Sequence, residues 1–150
     1  QGYIIMNVLE FAKQNAAFHS FMIYNEDRKS FKLDSYDQSH PGVYFILDGE
    51  DILKIGKADG NSGLKGRIST YRTRLVRSYE TGDQTTILWH TVMTGDLAGK
   101  KLEMYVLPVE PIKVSFKGIE LDAMMARSLE KKLSELANDQ NHSMRLSGQN

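Results

Sequence analysis

The chain reads Gly42-Val43-Tyr44-Phe45-Ile46-Leu47, then Asp48-Gly49-Glu50-Asp51, then Ile52-Leu53-Lys54-Ile55-Gly56-Lys57, and this stretch decides its fold. The first and third runs are short and rich in residues that favour strands, and the run between them has the composition of a hairpin turn. The sequence therefore predicts two paired strands over residues 43–47 and 52–55.

Helices and further strands are predicted on the C-terminal side of this hairpin. A glycine-punctuated loop over residues 58–63 leads into a helix whose apolar stripe is Leu64, Ile68, Tyr71, Leu75 and Tyr79. Residues 85–93, 102–109 and 112–116 have the composition of strands. A last helix is predicted from about residue 120 to 137, with an apolar stripe of Leu121, Met125, Leu129, Leu133 and Leu136.

The first 40 residues are predicted to form an N-terminal extension. Asn7 can cap a helix that runs to about residue 18, and residues 21–24 and 30–33 can pair as a hairpin. We give residues 1–5 no functional weight, because Gln1-Gly2 is typical of an expression tag and Met6 of a natural start. The expected architecture is α+β: a small mixed β-sheet flanked by helices over residues 41–150, which end in a C-terminal tail, preceded by this helix and hairpin extension.

Composition limits the class of protein. With 150 residues, 41% of them hydrophobic and 25% charged, the chain has the size and composition of one globular unit. It has no cysteine, which excludes disulfides, thiolate zinc sites and cysteine nucleophiles. No apolar run approaches the roughly 18 to 20 residues needed to span a bilayer, and no signal peptide is recognisable. These features predict a cytoplasmic protein with no membrane partner.

Basic residues are concentrated in the first predicted helix, although the formal net charge of the whole chain is zero. Residues 64–79 contain five basic residues and no acidic one. Such a face suits contacts with phosphates, the main source of affinity for nucleic acid, and its alternative is an ordinary solvated helix face. The residues predicted to contact DNA are Lys57, Lys65, Arg72, Arg74 and Arg77.

Four motifs follow one another between residues 41 and 136: Gly42-Val43-Tyr44, Lys54-Ile55-Gly56-Lys57, Gly66-Arg67-Ile68-Ser69-Thr70-Tyr71-Arg72 and Ala126-Arg127-Ser128-Leu129-Glu130-Lys131-Lys132-Leu133. Their order and spacing resemble the two strand signatures, the arginine-bearing helix and the later acidic helix of the GIY-YIG nuclease superfamily. The resemblance implies a metal-dependent DNA endonuclease with Tyr44, Arg67 and Glu130 at the core of its active site.

Lys54 departs from the family pattern, because it stands where the family name has its second tyrosine. A lysine there, together with Tyr71 one helical turn after Arg67, most resembles the compact type II restriction endonucleases of the superfamily. That branch implies hydrolysis of double-stranded DNA by a homo-oligomer, a dimer if the enzyme is restriction-like. The alternatives are a DNA repair or homing-type nuclease of the same superfamily, or a catalytically idle DNA-binding module.

Glu130 is the metal ligand that the resemblance implies. It lies beside the apolar stripe of its predicted helix, where a carboxylate can hold a hard divalent cation such as Mg²⁺ or Mn²⁺. Such a cation offsets charge on the phosphate oxygens during hydrolysis. The alternative interpretation is a solvated or salt-bridged glutamate at the border of an amphipathic helix.

Tyr44 is the candidate general base, and Lys54 on the partner strand is predicted to lower its pKa. Arg67 and Tyr71 lie four residues apart, on one helical face, where they can contact the phosphate. The alternatives are that Tyr44 and Tyr71 are core residues and that Lys54 faces solvent. The histidines have no metal-ligand spacing and are predicted to be structural: His19, His40, His90 and His142.

Overall fold

The computed structural model of the protein describes residues 6–73 and 76–148, and contains a five-stranded and a two-stranded β-sheet with helices around the larger one. In chain order the elements are α1 Val8–Asn15, β1 Ala17–Asn25, β2 Ser30–Lys32, β3 Gly42–Asp48, β4 Asp51–Ala58, α2 Gly63–Thr73, α3 Val76–Glu80, α4 Gln84–Thr94, β5 Lys101–Pro108, β6 Ile112–Phe116, β7 Ile119–Ala123 and α5 Met125–Asp139.

The five-stranded sheet has the order β2-β1-β5-β3-β4. The predicted hairpin is present as β3 and β4, and the N-terminal hairpin is present as β1 and β2. Strand β5 lies between the two hairpins, antiparallel to β1 and to β3, and so joins the N-terminal segment to the rest of the sheet. The α+β class with flanking helices is confirmed, and the sheet is antiparallel rather than mixed because every observed pairing is antiparallel.

Helices cover the two faces of this sheet and bury both sets of alternate residues of the inner strand β3. Tyr44 and Ile46 of β3 pack with α2 and α4, whereas Val43, Phe45 and Leu47 pack with α1 and α5. Both sets are almost fully buried, as the two-residue period of a strand that is covered on both faces requires. A functional side chain at position 44 is therefore held on the side of the sheet that α2 covers.

The expected strand over residues 85–93 is wrong, since these residues lie in helix α4. Its threonines, isoleucine and valine favour strands, but the burial of Thr86, Trp89, Val92 and Met93 has helical spacing. The Asp83 carboxylate starts the helix by accepting hydrogen bonds from the backbone N–H and the hydroxyl of Thr86, at 2.9 and 2.7 Å. Side-chain capping and tertiary burial therefore outweigh β propensity here.

Two helix boundaries also differ from expectation. Residues 119–123 form β7, the partner of the correctly predicted β6, so the last helix begins at Met125 and Leu121 is not part of it. The helix predicted through Tyr79 is divided into α2 and α3, and Leu75 lies outside the described residues. The β6–β7 turn explains the first error, because Lys117 and Gly118 have φ of 52° and 83°, the backbone of a tight hairpin.

The C-terminal tail runs along the outer edge of β4. The backbone N–H groups of Met144 and Leu146 donate to the carbonyls of Ile52 and Leu53, at 3.0 and 2.9 Å. None of the helices in the described part of the chain is long and apolar enough to cross a membrane.

Candidate active site

The phenol of Tyr44 lies across the neighbouring strand, above Gly56. Tyr44 and Gly56 are directly opposed in the β3–β4 pairing. A Cβ atom at position 56 would lie 2.2 Å from Cζ and 2.3 Å from the hydroxyl oxygen of Tyr44, distances that real Cβ atoms essentially never show. The glycine of the second strand signature therefore provides the space that the first signature's tyrosine occupies.

Tyr71, on α2, meets Tyr44 from above the sheet. The two hydroxyl oxygens are 2.8 Å apart, and both side chains are almost completely buried. The Tyr71 ring stacks on Trp89 of α4, with a centroid distance of 4.4 Å and an interplanar angle of 14°. Tyr71 is thus a core residue, as one interpretation predicted, and at the same time holds its hydroxyl against that of Tyr44.

Lys54 shares this side of the sheet. It is opposite Ile46, one cross-strand pair along from Tyr44 and Gly56, and it is half-buried rather than solvent-facing. Burial lowers the pKa of Lys54, the positive charges of Arg67 and Lys57 lower it further, and the carboxylate of Glu130 raises it. Three charged side chains from β4, α2 and α5 therefore act on one lysine.

Burial raises the pKa of Tyr44, which is the opposite of what a general base needs. The hydrogen bond to Tyr71 and the charge of Arg67 act in the other direction, and Glu130 adds to the increase. Lys54 was expected to lower the pKa of Tyr44. The cation that lowers this pKa, and so favours the phenolate, is Arg67. In the free protein Tyr44 is therefore a neutral phenol at physiological pH.

Helix α2 presents Arg67 as an exposed side chain over this site. The helix starts at Gly63, whose φ of +54° and close contact with the carbonyls of Ser39 and His40 exclude a side chain. The N–H of Leu64 donates to the His40 carbonyl at 3.0 Å, so the loop before β3 satisfies a donor that the helix leaves free. This packing fixes where the first turn of α2, and with it Arg67, lies above the sheet.

Glu130 lines a cleft of about 390 Å³ between β4, α5 and the C-terminal tail. Its carboxylate accepts a 2.8 Å hydrogen bond from the hydroxyl of Ser134, one helical turn further on. Lys54 lines the same cleft, which also contains polar side chains of α5 and the tail: Ser134, Asn138, Ser143 and Ser147. A serine four residues after Glu130 is the sequence signal that indicates this partner, because residues four apart lie on one face of a helix.

A metal at this cleft would depend on one protein carboxylate. In residues 6–73 and 76–148 no three His, Cys, Asp or Glu side chains are grouped as a ready-made metal site. Mg²⁺ commonly keeps several waters and takes only one or two carboxylates together with substrate phosphate oxygens. The half-buried Glu130, in an open polar cleft, fits that pattern.

The residues predicted to contact phosphates occupy different positions. Lys65 is exposed on α2, but Lys57 is opposite Val43, on the other side of the sheet from Tyr44. The Nε of Arg72 donates to the carbonyl of Leu33 at 2.9 Å. Arg74 lies outside the described residues, and the structure describes only the backbone of Arg77.

All four histidines have hydrogen-bond partners that support the fold. His19 contacts the Asp34 carbonyl at 2.8 Å, and His40 contacts the Tyr36 hydroxyl at 2.7 Å. His90 contacts the Tyr24 hydroxyl, and His142 accepts from the N–H of Ile52.

The fold of this chain is shared with two proteins of known structure. EndoII of bacteriophage T4, in a mutant form, superposes with a TM-score of 0.65 at 21% identity, over 89% of this chain and 96% of that one. Restriction endonuclease HPY188I, in complex with product DNA, superposes with a TM-score of 0.50 at 16% identity, over 93% of this chain and 88% of that one. No family model matches the sequence, and no curated protein matches it. The five-stranded antiparallel sheet with flanking helices is therefore a fold that this chain has in common with both proteins.

Proposed function

We propose that the protein is a metal-dependent DNA endonuclease of the GIY-YIG type that hydrolyses phosphodiester bonds in double-stranded DNA, and that it is restriction-like. The observation that carries the proposal is the meeting of Tyr44 and Tyr71, hydroxyl to hydroxyl at 2.8 Å, within the electrostatic reach of both Arg67 and Glu130. These residues come from β3, α2 and α5, and the GIY-YIG resemblance implies this set of side chains.

Two further findings support the proposal. The fold is that of a phage protein named as an endonuclease and of a restriction endonuclease whose structure contains product DNA. Two side chains of the candidate site, Lys54 and Glu130, also line an open cleft, where a large substrate can reach them.

The side chains can divide the chemistry of phosphodiester hydrolysis among them. Glu130 would hold Mg²⁺ or Mn²⁺, which when bound offsets the charge that develops on the phosphate oxygens. Arg67, exposed at the start of α2, can contact the same phosphate with two parallel N–H groups. Tyr44 would accept a proton from the attacking water, and Tyr71 orients the Tyr44 hydroxyl through their shared hydrogen bond.

The charges around Tyr44 favour this division once a cation is bound. Glu130 raises the pKa of Tyr44 in the free protein, and a cation bound to Glu130 would offset that negative charge. The bound cation would also offset the charge of Glu130 that raises the pKa of Lys54. Arg67 then remains as a positive neighbour of Tyr44, and the phenolate becomes easier to form.

Replacing Glu130 tests the metal role directly. The substitution Glu130→Gln keeps the shape of the side chain and removes its charge, so cleavage of plasmid DNA in Mg²⁺ or Mn²⁺ should fall by several orders of magnitude. Binding to the same DNA in Ca²⁺, measured by fluorescence anisotropy, should be retained. The matched control is Glu135→Gln, an exposed position on the same helix, which should cleave like the unmodified protein. A folded Glu130→Gln protein that cleaves at the rate of the control would contradict the proposal.

The restriction-like part of the proposal has its own test. A restriction enzyme should cut both strands of purified duplex at one short sequence, usually palindromic because the enzyme is a symmetric oligomer. Sequencing the ends produced from phage DNA would show this as a single recurring site. Ends at unrelated sequences, or a preference for branched DNA, would instead support a homing or repair enzyme.

A further inference from the structure

The β6–β7 hairpin, which we call the arm, has two chemically opposite faces. In its register the pairs Ile112–Ala123, Val114–Leu121 and Phe116–Ile119 alternate with the pairs Lys113–Asp122 and Ser115–Glu120. Directly opposed residues of an antiparallel pair point to the same side. One face of the arm is therefore entirely apolar, and the other is entirely polar, with an ion pair of 2.6 Å between Lys113 and Asp122.

The apolar face of the arm is exposed, and no part of residues 6–73 and 76–148 covers it. Every residue from 112 to 122 is exposed, and the exposed fractions of Phe116 and Ile119 both reach 61%. The arm forms a sheet of its own, separate from the five-stranded sheet. A lone two-stranded hairpin is marginally stable in water at best, so such a face needs a partner to make it stable.

The charge of the arm argues against DNA as that partner. Lys113 and Lys117 are balanced by Glu120 and Asp122, so the hairpin has no excess of positive charge. Binding to a duplex depends mainly on neutralising its phosphates with basic side chains. The apolar face instead has the composition of the centre of a protein interface, where charged residues are depleted.

The exposed area of the arm's apolar face indicates which protein packs against it. Its five large side chains expose roughly 500 Å² of apolar surface, near the upper end of what a monomer normally leaves in contact with water. Two identical faces packed together would bury about 1,000 Å², which is the lower limit for a specific protein interface. A two-fold axis through such a pair brings the same patch of both copies together, so one chain supplies both halves.

We propose that the arm is a dimerisation element whose apolar face packs against the same face of a second copy of this chain. This inference does not rest on the proposed nuclease function, because it concerns only the arm. It does have a consequence for the active site, since α5 begins two residues after β7 and carries Glu130 one to two helical turns further on. Dimerisation through the arm would set the distance between two copies of the cleft.

The test compares two neighbouring positions on one strand. Val114 and Ser115 are both exposed but lie on opposite faces of β6, so glutamate at either position adds the same charge to the arm. Sedimentation equilibrium should show the unmodified chain as a dimer at micromolar concentration. Val114→Glu should raise the dissociation constant at least about 100-fold, because a charge then enters the buried centre of the interface, whereas Ser115→Glu should change it less than about threefold.

Cross-linking provides a second readout. Because the chain has no cysteine, a single cysteine can be introduced at either face and joined with a short bismaleimide. Leu121→Cys should give cross-linked dimers, and Glu120→Cys on the polar face should not.

Four results would overturn the proposal. They are a chain that stays monomeric at about 100 µM, a dimer that Val114→Glu does not weaken, equal sensitivity to both glutamate substitutions, and preferential cross-linking through Glu120→Cys. A monomer whose DNA affinity falls with Val114→Glu but not with Ser115→Glu would overturn it in favour of a DNA-contacting arm.

Discussion

The phenol ring of Tyr44 occupies the space that a side chain at position 56 would need. Gly56→Ala should therefore displace the Tyr44 ring, and with it the hydroxyl that meets Tyr71. We expect a loss of about 1–3 kcal/mol in the free energy of unfolding, as is usual for overpacking, and at least a tenfold slower cleavage of DNA. Urea denaturation and a plasmid cleavage assay would measure the two effects.

Gly60→Ala is the control for this substitution. A Cβ atom at Gly60 would meet no atom within 4 Å, and the position is only a few residues from Gly56. Its stability and activity should be close to those of the unmodified chain. If both alanine variants behave alike, the ring of Tyr44 does not depend on the glycine below it.

The pH dependence of cleavage tests Tyr44 as the base. Since burial raises the pKa of Tyr44 above its usual value of 10, the ionised fraction should increase about tenfold per pH unit throughout the range from 7 to 9.5. Values of kcat/KM, which report groups of the free enzyme, should rise with that slope and reach no plateau in this range, and Tyr44→Phe should remove both the activity and the slope. A plateau near neutral pH would indicate a different base.

At the scale of single residues, part of the candidate site could be predicted from the sequence and part could not. The charges of Arg67 and Glu130 both act on Tyr44, and the order of the motifs is the sequence feature that groups these three residues. The direction of the Tyr44 pKa could not be predicted, because it depends on how deeply the ring is buried. Tyr44 packs against Tyr71, which stacks on Trp89, and this contact between α2 and α4 has no signature in either helix.

At the scale of elements, helix α4 supports the candidate site by packing against Tyr71. Its first turn is held by the Asp83 carboxylate, and its Trp89 stacks on Tyr71. Asp83→Ala should lower the free energy of unfolding by about 1 kcal/mol, the usual cost of losing an N-cap. Chemical denaturation would measure the loss, and Thr85→Ala, at an exposed position in the first turn, is the control. Equal losses in the two variants would show that the cap contributes nothing of its own.

The same helix shows where secondary structure could not be predicted from local composition. Strand β3 was predicted correctly because a run buried on both faces leaves a continuous apolar sequence, Val43 to Leu47. In α4 the strand-favouring side chains are present as well, and the decision depends on a capping aspartate and on distant aromatic partners. Strand β7 was missed for a related reason, because the spacing of Leu121 and Met125 fits a helix as well as a strand followed by a helix.

At the scale of the whole molecule, the neutral total charge hides an uneven distribution. Helix α2 carries basic residues and no acidic one, and it lies on the face of the sheet opposite to α1. Lys65→Ala should reduce the slope of the logarithm of DNA affinity against the logarithm of salt concentration by about 1, because one fewer phosphate loses its counterions. Lys13→Ala, on α1, should leave the slope unchanged. Anisotropy titrations between about 50 and 200 mM NaCl would separate the two outcomes. An unchanged slope in Lys65→Ala would remove α2 from the DNA-binding surface.

The tail that runs along β4 has a consequence for how the protein behaves at high concentration. An exposed strand edge offers unpaired backbone groups to any other chain and is a common starting point for aggregation. Here Met144 and Leu146 occupy the carbonyls of Ile52 and Leu53 on one edge of the sheet, and Ser143 donates to the carboxylate of Asp51 beside them. The opposite edge is β2, which is only three residues long. Two carbonyls of one edge are thus occupied, and the strand at the other edge is too short to be a long template, so both features limit growth of the sheet from chain to chain.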